Sequence, residues 1–138
     1  MITIEKNEQF ALIDIDSKVL DETLAKEIEK KVAVLYREGY GNYIFDFKTV
    51  TEISTEGISL IKKVDKLCNN ENGILAITTD NEELIDQLDE SKIETLVIMS
   101  TKEEAVEAIY LNELENDFRE EEDDTMEESG EENASDYN

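Results

Sequence analysis

Ser54, Thr55, Glu56 and Gly57 stand between two unlike segments of the chain. Before them "NYIFDF" (42 to 47) is a nearly continuous apolar run, and after them "ISLIKKVDKLC" (58 to 68) repeats its apolar residues at helical spacing. A hydroxyl at the start of a helix has two uses. It accepts a hydrogen bond from an unpaired N–H of the first turn, the ordinary N-cap role, or it is presented to a partner. The exposed N–H groups and the positive end of the helix dipole would partly offset the roughly two negative charges of a phosphate placed there. That phosphate would leave the domain folded while spoiling a hydrophobic or acidic docking face. Residue types alone leave cap and acceptor both open.

Other reactive chemistry is narrower. The chain contains no histidine, which removes Ser-His-Asp and Cys-His nucleophiles and the usual His-containing zinc sites. Neither GxGxxG, GxxxxGK[ST] nor a calcium-loop spacing occurs, so no cofactor and no metal is expected. Asp46 and Glu56 are a candidate acid pair. They would do general acid–base work only across a pocket that tunes their pKa values apart, and the chain is read as non-enzymatic. Cys68, the single cysteine, lies among apolar helix positions and reads as a core thiol. Tyr36, Tyr40 and Tyr43 read as packing residues. Lys62, Lys63 and Lys66 read as a solvated helix face, with rim contacts to a partner as the other reading.

The formal charge is −24, and residues 113 to 138 hold thirteen acids against one base, half of that net charge. Nucleic acid and anionic membrane surfaces are therefore poor partners. No apolar window approaches the ~18 residues of a membrane span, and "MITIEKNEQF" lacks the pattern of a signal peptide. The cytoplasm is the expected location. Beyond Phe118, "REEEDDTMEESGEENASDYN" has little to bury and repels itself, so a disordered acidic tail is expected there, with solubility as its expected role and steering toward a basic partner surface as the alternative. The expected division is a domain over 1 to 112, then the end of the last helix and the tail over 113 to 138.

Within the domain, residues 2 to 5 and 9 to 15 read as strands joined by a polar turn at Lys6-Asn7-Glu8. Leu20, Leu24, Ile28, Val32 and Leu35 mark a helix ending at Gly39 or Gly41. After the strand at 42 to 47, the second helix turns Ile58, Ile61, Val64, Leu67 and Cys68 inward and stops at "NNENG" (69 to 73). A strand at 74 to 78 follows, then a short helix opened by Asp80 with Glu83 and carrying Leu84, Ile85 and Leu88. The last strand is 95 to 99. Ser100 and Thr101, with Glu103 and Glu104, open a final helix whose inner residues are Ala105, Val106, Ile109 and Leu114. Strands alternating with helices imply an α/β domain with a mixed, mostly parallel sheet of about five strands.

This order, with Asp46 in "FDF", the hydroxyl-bearing junction, Gly57 and "ISLI", resembles a STAS domain, the fold of bacterial anti-sigma factor antagonists. The resemblance covers residues 2 to 112. In that family the strand ends in Asp, and a later Asp-Ser-Ser-Gly precedes an apolar helix. The first Ser of that motif is phosphorylated by a partner kinase that is itself an anti-sigma factor. Registered on Gly57, Ser54 takes the place of the motif Asp, Thr55 that of the phosphoacceptor and Glu56 that of the second Ser. The resemblance thus implies Thr55 as acceptor, with Ser54 as the alternate. It implies a partner-binding surface of Ser54, Thr55, Glu56, Gly57, Ile58 and Lys62. Glu56 admits three readings: it stabilises the helix, weakens kinase docking, or holds the domain in a permanently modified-like state. The implied partner is a kinase-type anti-sigma factor. A STAS subunit of a transporter ATPase or of a scaffold, without phosphorylation, is the alternative. Oligomeric state is not legible.

Overall fold

Alternating apolar residues build the sheet. The computed structural model describes residues 1–129. Strand β1 (Ile2–Lys6) turns back on β2 (Ala11–Ile15) in an antiparallel hairpin. The Asn7 carboxamide closes the turn by accepting from the N–H groups of Gln9 (2.8 Å) and Phe10 (2.9 Å). Beyond β2, strands β4 (Tyr43–Asp46), β6 (Leu75–Thr78) and β7 (Val97–Met99) add in parallel, giving the order β1-β2-β4-β6-β7. A second, two-stranded parallel sheet pairs β3 (Val19–Leu20) with β5 (Glu52–Ile53).

Each parallel step is bridged by a helix: α1 (Glu22–Arg37), α2 (Thr55–Asn70) and α3 (Glu82–Glu90). All the steps advance in one direction along the sheet. The shared handedness of such crossovers then stacks α1, α2 and α3 on one face, and α4 (Lys102–Ser129) takes the other. Period-two alternation divides the strands accordingly. Ala11, Ile13, Ile15, Tyr43, Phe45, Leu75 and Ile77 meet α1, α2 and α3 residues such as Ile28, Ile61 and Leu84. Leu12, Ile44 and Ala76 meet Ala105 and Ile109 of α4.

The expected mixed sheet is present, with local corrections. Leu20, read as the first apolar residue of a helix, belongs to β3; the helix begins after Asp21, whose carboxylate accepts from Leu24 N at 3.0 Å. The cap of α3 is Asn81, which accepts from Leu84 N at 3.2 Å, and not Asp80. Asp80 is displaced because Thr79 Oγ1 accepts from Asn81 N at 3.1 Å and turns the chain there. Leu114, expected to face inward, is exposed. Five residues separate it from the buried Ile109, a rotation that carries it off the side of the helix held against the domain by Asn112, Glu113 and Asn116. Helix α4 continues to Ser129, beyond the point where its apolar pattern ends. The tail expected to be disordered lies, from residue 130 on, outside the described residues.

Candidate functional site

Helix α2 begins with Ser54, whose backbone is extended (φ −74°, ψ 171°) and whose hydroxyl accepts from Gly57 N at 3.1 Å. The Ser54 N–H donates to Leu20 O at 2.9 Å, so the short β3–β5 ladder leads directly into the cap. Gly57 is dictated by that approach and not by its backbone angle. A Cβ built on it would sit 2.7 Å from Ile53 Cγ2 and 2.9 Å from Leu20 O, inside contact distance of a backbone atom. The glycine therefore lets the first turn of α2 press against β3.

Thr55 follows as the first helical residue, exposed, and its hydroxyl makes no hydrogen bond among the described residues. Glu56 is exposed beside it. Ile58 is half-buried and packs against the core, while Lys62 is exposed. At 3.6 residues per turn, Thr55, Ile58 and Lys62 share one side of the helix. Ser59 and Lys66, also exposed, extend that side. Ser59 is the residue of this side that sequence reasoning misses, although its spacing from Thr55 carries the signal. Lys63, grouped with Lys62 and Lys66 in the sequence, is instead engaged with Glu29 Oε2 of α1 at 3.2 Å. Lys62 and Lys66 make no ion pair among the described residues.

Asp46 is placed elsewhere. Its carboxylate is 8% exposed and accepts from Thr78 Oγ1 at 2.9 Å and from Lys48 N at 3.2 Å. It lines a cavity of about 260 Å³ with Thr78, Thr79, Ser100, Thr101 and Lys102 at the strand ends. Glu56 is not among the residues of that cavity, so the acid pair considered above shares no pocket. Asp46 instead faces Asp14, its register partner on β2. Burial, with the nearby Asp46 charge, pushes the Asp14 carboxyl above its ordinary range, and Lys102 acts in the opposite sense.

Cys68 is fully buried, and burial pushes its thiol up to about 12, as expected of a core residue. Tyr43 is buried, with its hydroxyl donating to Tyr40 O at 2.8 Å; Tyr36 OH donates to Glu71 Oε2 at 2.8 Å. These tyrosines join the end of α1 to the start of β4 and the end of α2. No helix is long and apolar enough to cross a membrane among the described residues.

A capped helix start beside a two-stranded ladder, on a hairpin-led parallel sheet, defines a known class. The STAS domain family model matches residues 1–108, and the chain belongs to that family. Comparison with the sequences of curated proteins finds no match. Solved structures share the fold at low identity. An anti-sigma factor antagonist from Mycobacterium paratuberculosis is 13% identical, with a TM-score of 0.69 over 80% of this chain and 93% of its own. The Bacillus cell fate determinant SpoIIAA in its phosphorylated form is 14% identical, with a TM-score of 0.63 over 79% of this chain and 99% of its own. A STAS domain protein from Planctomyces limnophilus is 19% identical, with a TM-score of 0.68 over 78% of this chain and 96% of its own.

Proposed function

We propose that the chain is a non-enzymatic regulatory module, an anti-sigma factor antagonist that binds a kinase-type anti-sigma factor through the start and outer side of α2. Ser54, Thr55, Glu56, Gly57, Ile58 and Lys62 form the contact, and phosphorylation of Thr55 releases it. One observation carries this reading. The cap is already supplied by Ser54, so the Thr55 hydroxyl is surplus to the fold and points to solvent. Ser54, the alternate acceptor, has its oxygen occupied by Gly57 N.

In the reaction Thr55 Oγ1 takes the γ-phosphoryl group of ATP, loses its proton and leaves ADP. The product sits at a helix N-terminus, where unpaired N–H groups accommodate it. Glu56 beside it compounds the negative charge. A partner surface that accepts a neutral hydroxyl would then meet about three negative charges at one point, close to two of them from the phosphate. The fold stays and the complex dissociates.

The test is incubation with the host's kinase-type anti-sigma factor and ATP, followed by mass spectrometry. Phosphate on Thr55, absent from Thr55→Ala, is expected; phosphate confined to the tail, or none, refutes the switch. Thr55→Asp is expected to weaken the complex.

Glu56 favours a second reading. A carboxylate already in the first turn of α2 suits a STAS subunit that is never phosphorylated and serves a transporter ATPase or a scaffold. Recovery of a transport ATPase as the main partner from native cells would establish that reading instead.

A further inference from the structure

Helix α4 has two apolar sides, and only one of them is used. Ala105 and Ile109 are buried on the sheet. Further along, the carboxamides of Asn112 and Asn116 each donate to Asn72 O at 2.9 Å, and Glu113 Oε2 accepts from Asn42 Nδ2 at 2.9 Å. These contacts fix which side of the helix faces the domain. On the opposite side lie Tyr110, Leu111, Leu114 and Phe118, exposed to 46%, 58%, 51% and 57%. At 3.6 residues per turn they fall within roughly a third of the helix circumference. Large side chains exposed singly need no explanation, but an aligned set of this kind does.

We infer that this stripe is a docking surface for a basic amphipathic helix of a partner protein. Charge selects the occupant. From Lys102 to Arg119 the helix carries six acids and two bases; Arg119 is paired with Glu115 at 3.8 Å, and Lys102 stands at the helix start, two turns before the stripe. The sequence then adds a further run of acids as α4 continues to Ser129. A second copy laid on the stripe would set two such segments side by side, and like charges at that spacing oppose association. A phosphate backbone or an anionic bilayer is repelled in the same way. An apolar helix face edged with Lys and Arg satisfies both parts of the surface, the greasy centre and the acidic rim.

The site is separate from the one proposed above. It lies on the layer opposite α2, and all four of its residues fall beyond residue 108, where the family match ends. Occupation here therefore leaves the α2 surface free.

The probe is a fluorescein-labelled synthetic peptide of leucine and lysine in helical period, titrated with the full chain and followed by fluorescence anisotropy. Saturable binding is expected, and a leucine–glutamate peptide of the same pattern is expected not to bind. The triple variant L111S/L114S/F118S keeps every charge and alters only exposed side chains. Its affinity for the basic peptide should fall on the order of tenfold or more, with an unchanged circular dichroism spectrum and melting temperature. Equal affinity of variant and parent would overturn the proposal, since attraction would then be to charge alone. Sedimentation showing a dimer of the parent that the triple variant loses would also overturn it, making a second copy the occupant. A melting temperature lowered in the triple variant would do the same, because the stripe would then be part of the fold.

Discussion

Helices α2 and α4 both open with the dipeptide Ser-Thr, yet the two starts are built one residue apart. At α2 the serine caps, and Thr55 is carried into the first helical position. At α4 the threonine caps: Thr101 Oγ1 accepts from Glu104 N at 3.2 Å, while Glu104 Oε1 reaches back to Ser100 N at 3.1 Å. The α4 start is thus closed by two side-chain bonds in a variant of the capping box, Glu104 reaching the N–H one residue ahead of the cap. The α2 start cannot be, because the position of the closing glutamate is held by Gly57, where β3 leaves no room for a Cβ. Backbone does the work instead, with Leu20 O accepting from Ser54 N. The same close packing that excludes a closing carboxylate leaves Thr55 and Glu56 unengaged and outward. Each start leaves one hydroxyl without a hydrogen bond among the described residues, Ser100 ahead of the cap at α4 and Thr55 inside the first turn at α2.

The largest effect should come from forcing the two starts to be alike. Gly57→Glu completes a capping-box pattern in the sequence, but its Cβ meets Leu20 O and Ile53. It should destabilise the domain by roughly 3 kcal/mol in urea unfolding. A gain in stability would show that the contact with β3 is not restrictive.

Removing each cap is next. Ser54→Ala and Thr101→Ala should each cost about 1 kcal/mol, and Glu104→Ala about 0.5 kcal/mol. If Ser54→Ala were silent and Thr55→Ala costly, the roles of the two hydroxyls would be exchanged and Ser54 would become the acceptor.

A smaller effect, visible only as a pH dependence, belongs to the α4 end of the comparison. The Asp14 carboxyl titrates above 3.8 in the folded chain. Below 3.8 it is protonated whether folded or not. As pH rises through its folded value, the unfolded chain has already released the proton, and the folded state loses relative stability. Asp14→Asn should accordingly match the parent in acid and exceed it in stability at neutral pH, read from denaturant midpoints at both. The smallest expected change in stability is that of Thr55→Ala, within about 0.5 kcal/mol in urea unfolding; under the proposed switch the same variant takes up no phosphate at this position.

Much of this was legible in the residues. Helical periodicity located α1 and α2, apolar runs located β4 and β6, and Thr101 with Glu103 and Glu104 marked the start of α4. The misreadings share a cause. Leu20 has correct helical spacing to Leu24 and Ile28, but a two-residue ladder such as β3–β5 has no period of its own to oppose that reading. Asp80 and Asn81 are equally good caps as residue types, and the Thr79 side chain decides between them. Leu114 extends the apolar count of α4 by five residues from Ile109, which turns it away from the side that contacts the domain.

By itself the amino-acid order determined which segments are strands and helices, because alternation at two and at 3.6 residues is a local property of the chain. It also determined that no histidine chemistry is available and that half the net charge gathers at one end. Tertiary structure alone decided which hydroxyl of a Ser-Thr pair caps and which faces solvent, since that turns on the approach of β3 to Gly57. It alone decided, too, that Tyr110, Leu111, Leu114 and Phe118 stay uncovered. An apolar side chain is buried only where another layer exists to receive it, and these four project from the side of α4 turned away from the domain.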